Sequence, residues 1–197
     1  MNIIEILKKR RTQYALGNKL PISEAAVESL IKDVVREAPS AFNSQSSRVV
    51  ILFGEEHKKL WSIVKETLRA IVPADAFEPT DKKINSFAAG AGTVLFFEDH
   101  HVIRSMQEKF PLYADKFPIF SGNSAGMAQY AVWTALANEN IGASLQHYNP
   151  LIDAEVGRVW GLPESWELSA QMPFGSNEAA IADKTFVDDG ERFRVFR

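Results

Sequence analysis

The sequence contains no cysteine, and this absence removes several kinds of chemistry at once. Disulfide bonds, thiolate metal sites and thiol nucleophiles all require cysteine side chains. Any redox reaction of this chain must therefore be carried by a bound cofactor. A chain without cysteine also suits the reducing cytoplasm, where we expect this protein to reside.

A basic excess and a long apolar run are missing as well. The net charge is −3 with both signs interspersed, which argues against partners such as nucleic acid or an anionic membrane surface. No segment approaches the roughly 20 apolar residues of a membrane-spanning helix. The charges of the N-terminal segment follow its apolar residues, unlike those of a signal peptide. With 197 residues and a 46% hydrophobic fraction, we expect one domain over residues 1–197 with a large core.

Apolar spacing predicts helices interspersed with strands, and therefore an α+β fold. We expect an exposed loop at residues 73–81 and a mobile flap or packing loop at residues 111–121, because both stretches contain proline. The C-terminal Glu191–Arg197 alternates like a strand and is expected to pair outside its own subunit. The expected helices are the N-terminal segment, 23–38, 60–71, 101–110, 124–137 and 153–160, with Asp153 capping the last, and the expected strands are 48–53, 93–97, 142–146 and 166–172.

The first helix ends in a basic cluster that continues into Thr12. Guanidinium groups offer a planar fork of donors that matches phosphate oxygens, and threonine adds a neutral donor. Taken alone, however, such a cluster is more often a solvated helix end that complements the macrodipole.

Two further runs are rich in small polar residues. The run at residues 38–47 contains hydroxyl and amide groups that suit the polar edge of a heteroaromatic ring, although self-capping loops have similar compositions. Asn140–Pro150 combines Gly142, which permits close backbone approach, with His147. A lone histidine without a nucleophile nearby is more often structural, and we expect no catalytic side chain. The histidines and acids show no metal-ligand spacing, and Gly90-Ala91-Gly92 precedes a strand, unlike a dinucleotide fingerprint.

These motifs occur in an order that resembles the nitroreductase family over nearly the whole chain. The motifs are Arg-Arg-Thr near residue 10, Ala-Pro-Ser-x-Phe-Asn-x-Gln, Glu-Asn-Ile-Gly-Ala-Ser and a late Phe-Gly. The resemblance extends to the compact subgroup that includes the yeast fatty-acid-repression-mutant proteins. It implies a mainly antiparallel central sheet flanked by helices, an obligate homodimer with a domain-swapped C-terminal strand, and FMN at the interface.

Site residues follow from the resemblance position by position. Arg10 and Thr12, with Arg11, resemble the phosphate and ribityl binders, and Lys184 resembles a late basic partner of the phosphate. Family members commonly carry a second basic residue where this chain has Tyr14, so the missing charge is expected at Arg11 or Lys184. The ring-contacting loop corresponds to Pro39, Ser40, Asn43 and Gln45, and the backbone amides near flavin N5 and O4 correspond to Gln146 and His147.

The function implied is an NADH- or NADPH-dependent reduction of nitroaromatics, quinones or similar small planar acceptors, with ping-pong hydride transfer through flavin N5. Neither the preferred nicotinamide nor the physiological acceptor follows from the sequence. One alternative is a flavin-binding sensor or regulatory protein of a stress or lipid response, which would not turn over. A second is an interaction domain that merely dimerises through its small-residue helix, which leaves the polar runs unexplained.

Overall fold

The computed structural model describes residues 2–181 and 183–197. Its elements in chain order are α1 Ile3–Lys9, β1 Leu16–Gly17, α2 Glu24–Glu37, β2 Ser47–Phe53, α3 Gly54–Arg69, α4 Glu78–Ala88, β3 Gly92–Asp99, α5 His100–Lys109, α6 Phe117–Asn138, β4 Gly142–Ala143, α7 Asp153–Trp160, β5 Trp166–Asn177 and α8 Asp189–Arg192. Short 3-10 turns occupy Ala41–Asn43, Ala74–Ala76 and Pro111–Lys116. No described helix is long and apolar enough to cross a bilayer.

The sheet has the strand order β1-β5-β3-β2, and β4 also pairs with β5. All of these ladders are antiparallel. An isolated parallel bridge joins Thr12 to Ala143 and brings the chain after α1 to the start of β4. The expected α+β fold with a mainly antiparallel sheet is confirmed.

Strand β3 is buried along its whole length because helices cover both faces of the sheet. Val94 and Phe96 face a core shared with α2 and α6, whereas Leu95 and Phe97 face a second core shared with α3, α4 and α7. Side chains alternate across a strand, so successive β3 residues enter opposite cores. This three-layer arrangement leaves the chain termini and the loops at the sheet edges to form binding surfaces.

Two proline-containing segments expected to be irregular are helical. Residues 73–81 enter α4, with Pro79 in its first turn, and α6 begins at Phe117, with Pro118 in its first turn. Proline fits there because the first helical N–H groups have no intrahelical partner. The predictions of an exposed loop at residues 73–81 and of a mobile flap or packing loop at residues 111–121 were therefore wrong.

Two smaller predictions also need correction. Asp153 is the first helical residue of α7, and the N-cap is Ile152. The first part of the expected C-terminal strand is α8, and Phe193 after it is extended without a strand partner among the described residues of this chain. Exchange of that tail with a second subunit stays a prediction.

Candidate functional site

The basic residues after α1 lie beside a lysine from the opposite end of the chain. Arg10, Arg11, Thr12 and Lys184 line one cavity of about 500 Å³, which we call the basic cavity. The same two arginines and the same lysine line a neighbouring cavity with Lys8. Among the described residues that line either cavity none is acidic, so both are positively charged and suited to an anion.

Hydrogen bonds between the two chain ends hold Glu178 and Ala179 beside the residues that follow α1. The buried Gln13 donates from Nε2 to the carbonyl of Ala179 at 2.8 Å, and the N–H of Glu178 donates to the carbonyl of Ala15 at 3.0 Å. Pairing of β1 with the end of β5 continues this contact. The basic cavity is therefore assembled by the sheet edge rather than by residues adjacent in sequence.

Aromatic rings of α6 orient Arg10. Its guanidinium carbon lies 4.4 Å from the centroid of the Trp133 ring and 5.7 Å from that of Tyr130. Its Nε is buried and has no hydrogen-bond partner among the described residues. A buried donor without an acceptor is costly, so the arrangement fits an anionic ligand that supplies one. A phosphate ester has the charge and the acceptor oxygens that this donor set requires.

The expected ring-contacting loop is held in an unusual backbone conformation. Phe42, Asn43 and Gln45 all have positive φ, at 56°, 52° and 51°. The Ser40 Oγ accepts a hydrogen bond of 2.9 Å from the N–H of Gln45 and closes the loop. Three left-handed residues without glycine are energetically costly, and such strain is concentrated at functional sites. We call residues 39–45 the polar loop.

A buried carboxylate fixes the two residues that follow the polar loop. Glu98 on β3 accepts hydrogen bonds from Ser46 Oγ at 2.6 Å and Ser47 Oγ at 2.5 Å. Ser121 of α6 donates to the same carboxylate. These bonds satisfy the acceptors of a group that would be expensive to bury alone, and they join the loop, the sheet and α6.

Aromatic packing holds the tip of the polar loop. Phe42 is 51% exposed, yet its ring lies 4.7 Å from that of Phe110 and 5.5 Å from that of Phe117, centroid to centroid. Tyr113 lies 5.9 Å away from the same ring. This packing is worth about 1 kcal/mol per ring pair and offsets part of the backbone strain.

The segment that follows β4, residues 144–150, is called the run after β4. Some of its backbone N–H groups are bonded to the sheet and others are not. The N–H of Gln146 donates to the Gln171 carbonyl at 2.7 Å, and its side-chain amide donates to Ser144 Oγ at 3.1 Å. Gln146 is therefore buried and turned toward the sheet. His147 is exposed, and its N–H has no backbone partner within the described chain.

The structure brings some of the expected site residues together and leaves others apart. The basic cavity holds Arg10, Arg11, Thr12 and Lys184, whereas Pro39, Ser40 and Gln45 line a separate cavity of about 160 Å³. Gln146 and His147 line neither of these two cavities. Tyr14 lies at the basic cavity and is 55% exposed, and both residues expected to supply the missing charge, Arg11 and Lys184, line the same cavity.

An apolar groove separates the basic cavity from the polar loop. It has a volume of about 610 Å³ and is lined by α1, α2 and α6, including Ile6, Pro39 and Ala131. Ile3 is 62% exposed and Tyr130 is 46% exposed at this surface. Exposed apolar side chains that line a groove between helices make this surface a candidate interface with another chain.

Sequence patterns did not reveal Gln13, Trp133 or Gln171. Gln13 joins the chain ends, Trp133 orients Arg10, and Gln171 holds the run at Gln146. Only Gln171 left a signal, because a glutamine inside an apolar strand has to satisfy its polar groups.

Comparison with known proteins supplies the family. Residues 7–176 match the family described as "Nitroreductase family". The chain is 38% identical over 186 residues to HBN1 of Saccharomyces cerevisiae, covering 93% of this chain and 92% of that protein.

Solved structures agree over the full length. The nitroreductase CinD from Lactococcus lactis in complex with nicotinic acid superposes with a TM-score of 0.93 at 49% identity, with complete coverage of both chains. CinD in complex with 4-nitrophenol gives a TM-score of 0.91 at 47% identity, again with 100% of both chains covered.

Proposed function

This chain belongs to the nitroreductase family of oxidoreductases, and on that basis we propose that it binds FMN and oxidises NADH or NADPH to reduce nitroaromatics, quinones or similar planar acceptors. The observation that carries the proposal is the basic cavity, where Arg10 keeps a buried donor without a partner among the described residues. The nicotinic acid and 4-nitrophenol bound by CinD are planar rings of the nicotinamide and nitroaromatic kinds, which supports the two substrate classes.

In this proposal the basic cavity holds the phosphate. Arg10 and Lys184 contribute charge, Arg11 adds to it, and Thr12 donates a hydroxyl hydrogen bond. When bound, FMN would supply the redox chemistry, namely hydride transfer from NAD(P)H to N5 followed by transfer to an acceptor in the same place. No side chain has to act as the acid or base of the reaction.

The polar loop would contact the flavin ring through Pro39, Ser40, Asn43 and Gln45. This loop lines a cavity separate from the basic cavity of the same chain. We therefore propose that one subunit supplies the phosphate-binding residues and that its partner supplies part of the contact with the flavin ring. The apolar groove between them supports a homodimer, since its burial would bring the two surfaces of neighbouring subunits together.

Anaerobic titration tests the redox function. We expect the purified protein reconstituted with FMN to show a flavin absorption band that NADH or NADPH bleaches and 4-nitrophenol or a quinone restores over many turnovers. Protein that gains no flavin spectrum after FMN addition would refute the proposal. Retained flavin that is bleached once without turnover would instead indicate the sensor.

Substitution of Arg10 tests the phosphate site. Arg10→Ala should weaken FMN binding about tenfold to a hundredfold, because a hydrogen bond to a charged group contributes about 1.5–3 kcal/mol. Arg158→Ala is the matched control, since Arg158 is an exposed arginine of α7 paired with Glu155. Equal FMN affinities of the two variants would show that the basic cluster is only a solvated helix end.

A further inference from the structure

Gln171 is the most deeply buried amide side chain near the run that follows β4. It lies in β5 opposite Leu95 of the second core, with 0% of its surface exposed, and its chain neighbours Ala170 and Met172 enter the first core on the other face of the sheet. A carboxamide in such a place costs free energy unless its donors and acceptor are satisfied. What satisfies it therefore indicates what it does.

Gln171 contacts the run on both sides of His147. Its backbone exchanges two hydrogen bonds with Gln146, at 2.7 and 2.9 Å. Its side-chain Oε1 accepts the N–H of Tyr148 at 2.7 Å, and its Nε2 donates to Asn149 Oδ1 at 3.4 Å. One residue thus holds the residue before His147 and the two residues after it.

Some backbone N–H groups of the run after β4 therefore donate hydrogen bonds within the chain, whereas another is free to donate to a ligand. The N–H groups of Gln146 and Tyr148 both point at Gln171 and are engaged. His147 lies between them, and its N–H has no such partner in the described chain. An amide fixed by its neighbours, with no partner of its own, is a preorganised donor, and such donors stabilise developing negative charge without reorganisation cost.

We propose that Gln171 is a positioning residue that holds the His147 N–H ready as the backbone donor to the reacting edge of the flavin ring. The inference rests on the proposed function, and on the family resemblance that matches Gln146 and His147 to the backbone amides near flavin N5 and O4. It narrows that pair to His147, because the N–H of Gln146 is already bonded to the Gln171 carbonyl. Gln171 does not contact the reactants, and it acts through the backbone of Gln146 and Tyr148. The His147 side chain has no part in this role.

Hydrogen exchange of the FMN-loaded protein is the first test. In the wild type we expect the His147 amide to be protected although none of the described residues offers it an acceptor. Gln171→Met keeps the length of the side chain but loses both amide functions, so protection of His147 and Tyr148 should fall. Gln171→Glu keeps the acceptor for the Tyr148 N–H and should restore part of that protection. Gln129→Met is the matched control, since Gln129 is also buried but donates to Ser169 instead.

Kinetics provide the second readout. Gln171→Met should lower kcat with NADH and 4-nitrophenol about tenfold while the KM for the acceptor changes less than about twofold, because a misplaced donor weakens transition-state stabilisation rather than substrate binding. The control Gln129→Met should keep the wild-type kcat.

The outcomes separate the inference from the function on which it rests. Wild-type protein that takes up no FMN would overturn both. If the wild type binds FMN and turns over, an unprotected His147 amide, or Gln171→Met behaving like Gln129→Met in both readouts, would overturn the role of Gln171 alone.

Discussion

His57 is a buried histidine whose environment favours the neutral form. It is 1% exposed, and its Nδ1 lies 2.8 Å from Thr93 Oγ1, which also accepts the indole N–H of Trp61. Burial lowers the pKa of His57 from 6.5 to about 4, and the backbone of Ala88 and Phe87 near the ring opposes part of this change. The imidazole therefore joins α3 to the sheet as a neutral group.

Stability should consequently fall in acid. Between about pH 6.5 and pH 4 the unfolded chain binds a proton at His57 that the folded chain does not, so the free energy of unfolding decreases by roughly 3 kcal/mol over that window. Urea unfolding at pH 7 and pH 4.5 measures the change. In His57→Asn, which cannot titrate, the difference between the two pH values should be smaller, and an identical difference would contradict this explanation.

The sequence indicated a binding role for some site residues but not the tertiary contacts that hold them in place. The resemblance singled out Arg10 and Lys184, and the structure places both at one cavity although 174 positions separate them. It gave no indication that Gln13 and Ala179 would join the chain ends, because that contact depends on tertiary pairing of β1 with β5. Local patterns cannot encode such long-range contacts.

Close packing of β1 against β5 holds the basic cavity, and it depends on Gly175. A Cβ added at this position would fall on the carbonyl oxygen of Gly17 and lie 3.0 Å from the N–H nitrogen of Ala91. Neither backbone atom can move aside as a flexible side chain would. Gly175→Ala should therefore destabilise the protein by about 2 kcal/mol and weaken FMN binding, as measured by urea unfolding and flavin titration.

Gly157 of α7 offers the opposite case. A Cβ there meets nothing within 4 Å, and the residue lies inside the helix Asp153–Trp160. Gly157→Ala should raise the free energy of unfolding by about 0.5–1 kcal/mol, since alanine loses less backbone entropy in a helix. FMN affinity should stay unchanged. A destabilised Gly157→Ala, or a wild-type-like Gly175→Ala, would contradict this view of the packing.

Element prediction succeeded where the sequence carried a cap or an uninterrupted apolar run. Ser23 caps α2 by accepting from the N–H of Ala26, and the run at residues 93–97 lies in the buried β3. Prediction failed at Pro79 and Pro118, which begin helices rather than ending them. The same residue type has both effects, and only the position within the helix decides which.

The whole molecule presents an apolar groove that a single chain leaves open. We expect a dimer in which a second copy covers the groove, so Ala131→Glu should yield monomers and reduce FMN retention, because an unpaired charge in an apolar interface is costly. Light scattering with a flavin assay measures both. Ala25→Glu, at an exposed position near the start of α2, is the control. A dimeric, flavin-loaded Ala131→Glu variant would exclude this surface as the interface.

The proposed function depends on binding of the FMN phosphate in the basic cavity. Comparing the affinities for FMN and riboflavin measures the contribution of the phosphate, because the two ligands differ only in that group. Their dissociation constants should be measured for the wild type and for Arg10→Ala with Lys184→Ala. We expect the wild type to prefer FMN by at least about a hundredfold, since two charged hydrogen bonds are each worth about 1.5–3 kcal/mol, and the double variant to lose most of that preference. Equal affinities of the wild type for FMN and riboflavin would contradict the central claim.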